Sequence, residues 1–460
     1  MKISKNVNFK EEYCASIVKI GEKMPIEGKD RIVKTLVNGL SIVIGKDEFE
    51  TGDIAVYVSN ECVIHELFLH LNNMYEDKKL NADNEQKGYI NSKGRVRVIK
   101  LGGIPSYGIL LHPSSIAKFL NEPVEEVTKY LENHLGEDFD ETNGERFCHV
   151  YVPETNQNRQ LSKSEKIMKK LARFKMLIEG SFRFHYETQQ LAKNIGILKP
   201  EDLVDISVKV HGTSAIFANI ETNIPTPWYK RMWRKYISHK YEYDKDYNIV
   251  YSSRKVIKNE YINKNQREGG YYSDDVWGYW ADKLQGFIPK DICIYAEIVG
   301  YNPKGSSIQH GYDYGCDVNA AEKSKMMIYR ITDNGKELEI SDVIEFGKKL
   351  KESLGDIIMD YTLLYHGSML DLYPEISTKE HWHENVLEAM KKEKRFGMEM
   401  DEPLCNNKVP REGICLRICN DPIQECFKLK TDKFRIREAK QYDEGVVDME
   451  AEEGYDEENV

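Results

Sequence analysis

The sequence predicts an α+β protein: a small amino-terminal β-barrel, then a second domain built on hairpin-like strands and interrupted by a helical insertion. Three observations lead there. Residues 1–145 hold several short alternating runs split by turn signals. Ile206–Phe217 alternates, breaks at Gly212 and resumes, and helical periodicity returns twice between residues 343 and 400. A chain of 460 residues can bury two or three cores, so it needs neither disulfides nor a structural metal to fold.

The barrel comes first. Arg31–Ile44 and Asp53–Val58 read as strands with turns at Asn38-Gly39 and Thr51-Gly52-Asp53, and Lys93–Lys100 and Tyr107–His112 continue the series. Strands this short and close suit an OB fold, the barrel expected where a nucleic acid is the partner. Two-residue periodicity places Lys93, Arg95 and Arg97 on one face of the third strand, with Val96 and Val98 on the other. That face can track a phosphate backbone; a merely solvated face fits the same pattern.

Helical pattern takes over at Glu122–His134 and again at Ser162–Ile178, where Ser162 and Glu165 have capping-box spacing ahead of a basic helix. The boundary between domains is therefore expected near residues 145–180. This gives a barrel over 1–145, a helical linker over 146–180, a second domain over 181–441 and a tail over 442–460. Within the second domain, Val343–Leu354 and Ser377 to about Lys394 carry the signals of the insertion. Trp228–Lys240 mixes aromatics with basic residues, among them Arg231 and Arg234. Such a mix can stack bases and hold phosphates, and it also fits a helix packed on the domain.

The formal net charge of −11 argues against a polyanionic partner only at first sight. Tyr442–Val460 holds nine Asp or Glu and no Lys or Arg, which leaves −2 on the body and lets local basic patches dominate. The tail reads as a disordered acidic extension. Nine cysteines without short paired spacings suit reduced thiols, and the spacings of Cys405, Cys415, Cys419 and Cys426 match no common zinc pattern. No stretch has the apolar length of a membrane span and Met1–Lys10 lacks a secretory core, so a cytoplasmic protein without a membrane partner is expected.

The chemistry centres on Lys209, which the Ile206–Phe217 pattern would present at the lip of a sheet. Partial burial beside other cations frees such an amine to act as a nucleophile. Four marks follow in order: Arg254 in Tyr251-Ser-Ser-Arg-Lys255, Glu297 closing the apolar run Ile292–Gly300, Tyr329 in Met326–Ile331, and Arg411-Glu412-Gly413 followed by Lys428-Leu-Lys430. Lys428 and Lys430 share one side of a strand and can neutralise charge developing at a phosphate. Glu412 can hold a divalent metal that bridges phosphate oxygens. Tyr329 can stack on a purine and Glu297 can accept from ribose hydroxyls. Each residue taken singly also has a plain account as a turn, a solvated face or core.

Together these segments resemble the covalent nucleotidyltransferase superfamily of ligases and capping enzymes. Lys209-Val-His-Gly212 is similar to motif I in the histidine form of nick-sealing RNA ligases; Arg254, Glu297, Tyr329, Glu412-Gly413 and Lys428-Leu-Lys430 match motifs Ia, III, IIIa, IV and V. The amino-terminal region, with Gly52–Tyr57 and Gly94–Lys100, resembles the leading OB domain of the Deinococcus-type RNA ligases. The resemblance implies an antiparallel-sheet, ATP-grasp-like nucleotidyltransferase domain, ATP as substrate, and Mg2+ or Mn2+. It implies Lys209 as nucleophile, with Lys428 and Lys430 at the α-phosphate. Gly212, Arg254, Glu297 and Tyr329 would hold the nucleotide, and Glu412 the metal. The implied partner is a nicked or broken RNA duplex, with Arg95, Arg97, Arg231 and Arg234 as candidate RNA contacts. A DNA ligase, an RNA-capping guanylyltransferase and a non-catalytic nucleic-acid-binding protein stay open as alternatives.

Overall fold

The computed structural model describes residues 1–151, 177–178, 180–186, 188–224, 227–234, 236, 244–254, 257–258, 276–379, 382–420 and 424–444. Most of the expected Ser162–Ile178 helix and of the acidic tail lies outside these residues, as does the side chain of Arg231.

The barrel forms where turn chemistry allows it. Lys29–Val37 and Leu40–Gly45 pair as an antiparallel hairpin, and Asn38 and Gly39 between them take left-handed φ of 49° and 69°, as a two-residue primed turn requires. Ala15–Lys19, Ile54–Val58 and Ile109–Leu111 pair side by side in a second sheet. Its inner face, with Ala15, Ile17, Val56 and Val58, packs on Ile116, Val127 and Leu131 from the helices Pro113–Leu120 and Val124–Asn133. Cys148–Val150 pairs with Cys62–Ile64, so strand structure continues past residue 145.

The expected third strand is different. Only Ile99–Leu101 is regular; before it, Gly94–Val96 pairs briefly with Glu61–Ile64 around the Val63–Arg95 bridge, and Lys93 and Arg97–Val98 are loop. Arg95 does not line a solvent face: its side chain is fully buried, bonded to Glu61 through Nε at 2.8 Å and to Asp443 through Nη1 at 2.9 Å, and faced by the Tyr151 and Tyr442 rings. Arg97 pairs with Glu76 and Asp443. The expected solvent face fails here because the pairing is only a few residues long and the side of it that carries Arg95 is covered by Glu61, Tyr151 and the helix Asp432–Asp443. Arg95 instead clamps the helix Asp432–Asp443 to the barrel.

The second domain has two antiparallel sheets. One runs Gln189–Gln190, Cys426–Lys430, Gly413–Ile418, Leu203–Lys209, Leu363–Ser368, with only the first pairing parallel; the other is built on Asp244–Ser252, Thr213–Ile224, Ile292–Gly300 and Ser324–Asp333. The chain passes between the sheets at Val210–Gly212. The insertion is not purely helical. Leu363–Ser368 is an edge strand pairing with Leu203–Lys209, while the helix Ile340–Leu354 covers the second sheet through Ile340, Val343 and Leu350.

The helix Trp382–Lys392 is a wedge. Val386, Leu387 and Met390 sit in one core with Val33, Val37 and Leu40 of the barrel and with Val204, Ile206 and Leu416 of the first sheet. Contact is close enough that a Cβ on Gly39 would meet Leu387 Cδ2 at 2.2 Å. Among the described residues no helix is long and apolar enough to cross a membrane.

Replacing Arg95 by Ala should cost about 3 kcal/mol or more in urea unfolding, because a fully buried side chain is removed and the mostly buried Glu61 is left without its cation. A loss under about 1 kcal/mol would show that the clamp is solvated.

Candidate functional site

The site follows from strand register. Lys209 lies opposite Gly413, Ser207 opposite Cys415 and Asp205 opposite Arg417; across the next pairing, Gly413 faces Lys430, Cys415 faces Lys428 and Arg417 faces Cys426. Since alternate residues point to opposite sides, one face of this three-strand unit collects the polar groups. The other face presents Val204, Ile206, Ile414, Leu416, Ile418, Phe427 and Leu429 to the core. The polar face is the floor of a cleft of about 720 Å³, roofed by the second sheet and edged by barrel residues Glu12, Asn60 and Glu61. Lys209, Gly212, Arg254, Glu297, Tyr329, Glu412, Lys428 and Lys430, far apart in the chain, all line it.

Glu412 is the hub. It is 2 % exposed, with Lys209 Nζ at 3.0 Å and Lys430 Nζ at 3.8 Å from Oε1, and His211 Nδ1 at 3.5 Å from Oε2. Burial opposes its charge, but Lys209, His211 and Lys430 together outweigh that and hold the carboxyl well below the usual carboxylate range. At 3.5 Å the His211 contact is attractive but too long for a well-formed hydrogen bond, which leaves Oε2 buried and unsatisfied. Its backbone is fixed as well: Glu412 O accepts from Thr431 N at 2.8 Å, and Thr431 caps the helix that starts at Asp432.

The motif turn is held from all sides. Gly212 N donates to Glu297 Oε1 at 3.0 Å, Gln309 Nε2 donates to Gly212 O at 2.8 Å, and His211 N donates to Tyr314 Oη at 2.8 Å. The His211 ring stands edge-on to Tyr312 and Phe434. Glycine is obligatory here by space: a Cβ on Gly212 would meet Ile298 O at 2.3 Å, and one on Gly413 would meet Leu429 O at 2.1 Å. Gln309, Tyr312 and Tyr314 escaped the sequence reading because they lie in a loop without periodicity, and only proximity in the fold reveals them.

Tyr329 enters the cleft through a bulge. Tyr295 pairs with Arg330 and Ala296 with Ile328, so Tyr329 is the extra residue between them; its ring centroid is 5.4 Å from that of His185. Burial, helped by Arg330, pushes His185 down to about 3, so it is neutral at ordinary pH. Lys428 Nζ is 3.3 Å from Glu12, and Lys430 Nζ is 2.8 Å from Glu438 on the closing helix. Burial first, then Lys430, Arg254 and Lys209, lower the Lys428 pKa against the pull of Glu12. Arg234, half-buried, pairs with Asp244 at the far end of the second sheet, away from these residues.

Comparison with known proteins follows the same division. A family model described as an OB-fold domain matches residues 14–113. No curated protein matches the chain. Solved structures do: a Naegleria gruberi RNA ligase mutant with AMP and Mn aligns at TM-score 0.54 and 17% identity over 92% of this chain and 98% of that one. Another mutant of that ligase, with ATP and Mn, gives 0.52 and 18% over 92% and 98%, and the ligase with PPi gives 0.50 and 17% over 91% and 97%. The chain shares its fold with an RNA ligase. The shared fold spans both the barrel and the two-sheet domain, as the sequence predicts.

Two thiols complete the floor. Cys415 and Cys426 are diagonal neighbours on adjacent strands. The neighbouring Cys415 thiol, with Arg417 and Arg330, outweighs burial and brings Cys426 down to about 7 from an ordinary value of 9.0. Its alkylation by iodoacetamide should therefore accelerate as pH rises through about 7, where an ordinary thiol is still protonated, and Cys426→Ser should remove that fast phase. A single phase rising only near pH 9 would contradict the geometry.

Proposed function

We propose that this chain is an ATP-dependent RNA ligase of the Deinococcus type that seals 3′-OH/5′-phosphate breaks in duplex RNA through a lysyl-AMP intermediate. One observation carries the reading: Lys209 and Lys430 converge on Glu412 in a cleft that also holds Glu297, Tyr329, Arg254 and Lys428. An amine, several cations, a carboxylate and an aromatic ring gathered in one cleft match what nucleotidyl transfer needs. The related fold solved with ATP, AMP, Mn and PPi supports the same ligands here.

In the first step Lys209 Nζ sheds a proton and attacks the α-phosphorus of ATP; the N–P bond forms as the bond to pyrophosphate breaks. Lys428 and Lys430, on the same strand face as the nucleophile, offset charge on the α-phosphate oxygens. To do so they exchange Glu12 and Glu438 for phosphate. Tyr329 stacks on adenine, Glu297 serves the ribose from its place on the Gly212 turn, and Arg254 contacts phosphate of the nucleotide or the RNA end. AMP then passes to the RNA 5′-phosphate, and the 3′-hydroxyl displaces it.

The residues present fit a divalent cation of limited kind. Glu412 Oε2 is a buried carboxylate oxygen without a hydrogen-bond partner, and no cluster of three or more His, Cys, Asp or Glu stands ready among the described residues. That suits Mg2+ or Mn2+, which take one or two carboxylates and fill the remaining positions with phosphate and water. Such an ion would supply charge neutralisation on the phosphate oxygens.

Incubation with α-labelled ATP should label the protein covalently, and Lys209→Ala should bring labelling to background with the circular dichroism spectrum unchanged. Lys209→Arg should fail as well, since a guanidinium stays protonated. Label surviving on Lys209→Ala would place the nucleophile elsewhere. Chelation should stop labelling, and transfer from GTP in place of ATP, or sealing of nicked DNA in place of nicked RNA, would redirect the reading within the superfamily.

A further inference from the structure

The hairpin that leaves the motif turn ends in a feature that the proposed chemistry does not use. Thr213–Ile224 and Asp244–Ser252 pair without a break from Ile216–Ser252 to Ile224–Asp244. At about 3.3 Å per residue the end at Ile224 lies roughly 40 Å along the strand from Gly212. The short helix Trp228–Trp233 follows in the chain.

Its apolar residues face water. Trp228 is 70% and Trp233 59% exposed, and Tyr229, Met232 and Tyr236 are more than half exposed. At 100° per residue these five fall on one side of a helix, with Lys230 and Arg234 on the other. This is not the ordinary fate of tryptophan in this chain, because Trp277, Trp280 and Trp382 are buried. Trp228–Lys240 also carries five Lys or Arg and no acid in a chain of net charge −11. Asp244, on the neighbouring strand, pairs with Arg234 and lies 4.0 Å from Lys230, so it offsets only part of that charge.

Rings open to stacking beside a cluster of cations complement a polyanion with exposed base faces. Four of the five apolar residues are Trp or Tyr rather than aliphatic, which favours stacking over insertion into hydrocarbon. We propose that this hairpin tip is a docking site for an unpaired segment of RNA, held at the far end of the strand that leaves the motif turn, roughly 40 Å along it from Gly212. The inference rests on the reading of the chain as an RNA ligase and adds a second point of contact. It makes the enzyme prefer breaks flanked by bases that are not paired.

The two exposed tryptophans provide the readout, since the three buried ones are shielded from a quencher in solution. Acrylamide quenching of the full-length protein is measured with a twelve-nucleotide oligouridylate, with a nicked RNA duplex with and without an unpaired tail, and with phosphatidylserine vesicles. Oligouridylate and tailed duplex should protect the emission. The triple variant Trp228→Ala, Trp233→Ala, Tyr236→Ala should bind the tailed duplex at least about tenfold more weakly, with covalent labelling by ATP unchanged. Equal affinity of variant and wild type, or protection by vesicles and not by RNA, overturns the proposal. Loss of labelling in the wild type would instead strike the ligase reading and leave the RNA-binding arm to be judged by quenching alone.

Discussion

The structure depends on one buried carboxylate. Glu412 is closed to water, and burying a lone carboxylate is expensive, so its ionised form exists only because Lys209, His211 and Lys430 surround it. The two lysines come from segments more than two hundred positions apart in the chain. The dependence runs both ways. The cations need Glu412 to sit together at the mouth of an apolar sheet, and Glu412 needs the sheet register that puts Gly413 between Lys209 and Lys430. Fold and site are therefore one problem, and a slip of one residue in either pairing would send every polar group of the cleft floor into the core.

The surroundings show the same economy of parts. Three strands give a polar face and an apolar face from simple alternation, a single bulge turns Tyr329 inward, and a loop rich in tyrosine braces the histidine of the motif turn. Two close backbone approaches, at Gly212 and Gly413, let the turn and the strand beneath it come nearer than any side chain would permit. The barrel takes part as well, because Glu12 reaches Lys428 from the far side of the cleft.

Much of this was legible in the sequence. The primed turn at Asn38-Gly39, the break at Gly212 and the spaced polar marks all act through local backbone chemistry, which one sequence displays. What escaped depends on contacts across the chain. Lys93, Arg95 and Arg97 alternate as a strand would, yet the segment pairs only around Arg95, which is drawn inward by Glu61 and Asp443. The insertion reads as helical because its helices are longer and more periodic than Leu363–Ser368, whose role as a sheet edge is set by its partner strand. Gln309 and Tyr314 carry no pattern, since their task is to reach a turn about a hundred residues away.

The wedge helix Trp382–Lys392 has a further consequence. Aliphatic side chains from the barrel, the wedge and the first sheet form one continuous oily seam, so prising the two halves apart would wet it. Such a joint resists hinge bending, and the halves should melt as a single cooperative body. Access for a long polymer then has to come along the open rim of the cleft. An excised barrel, stripped of its cover, would carry an adhesive patch where the intact protein has an interior.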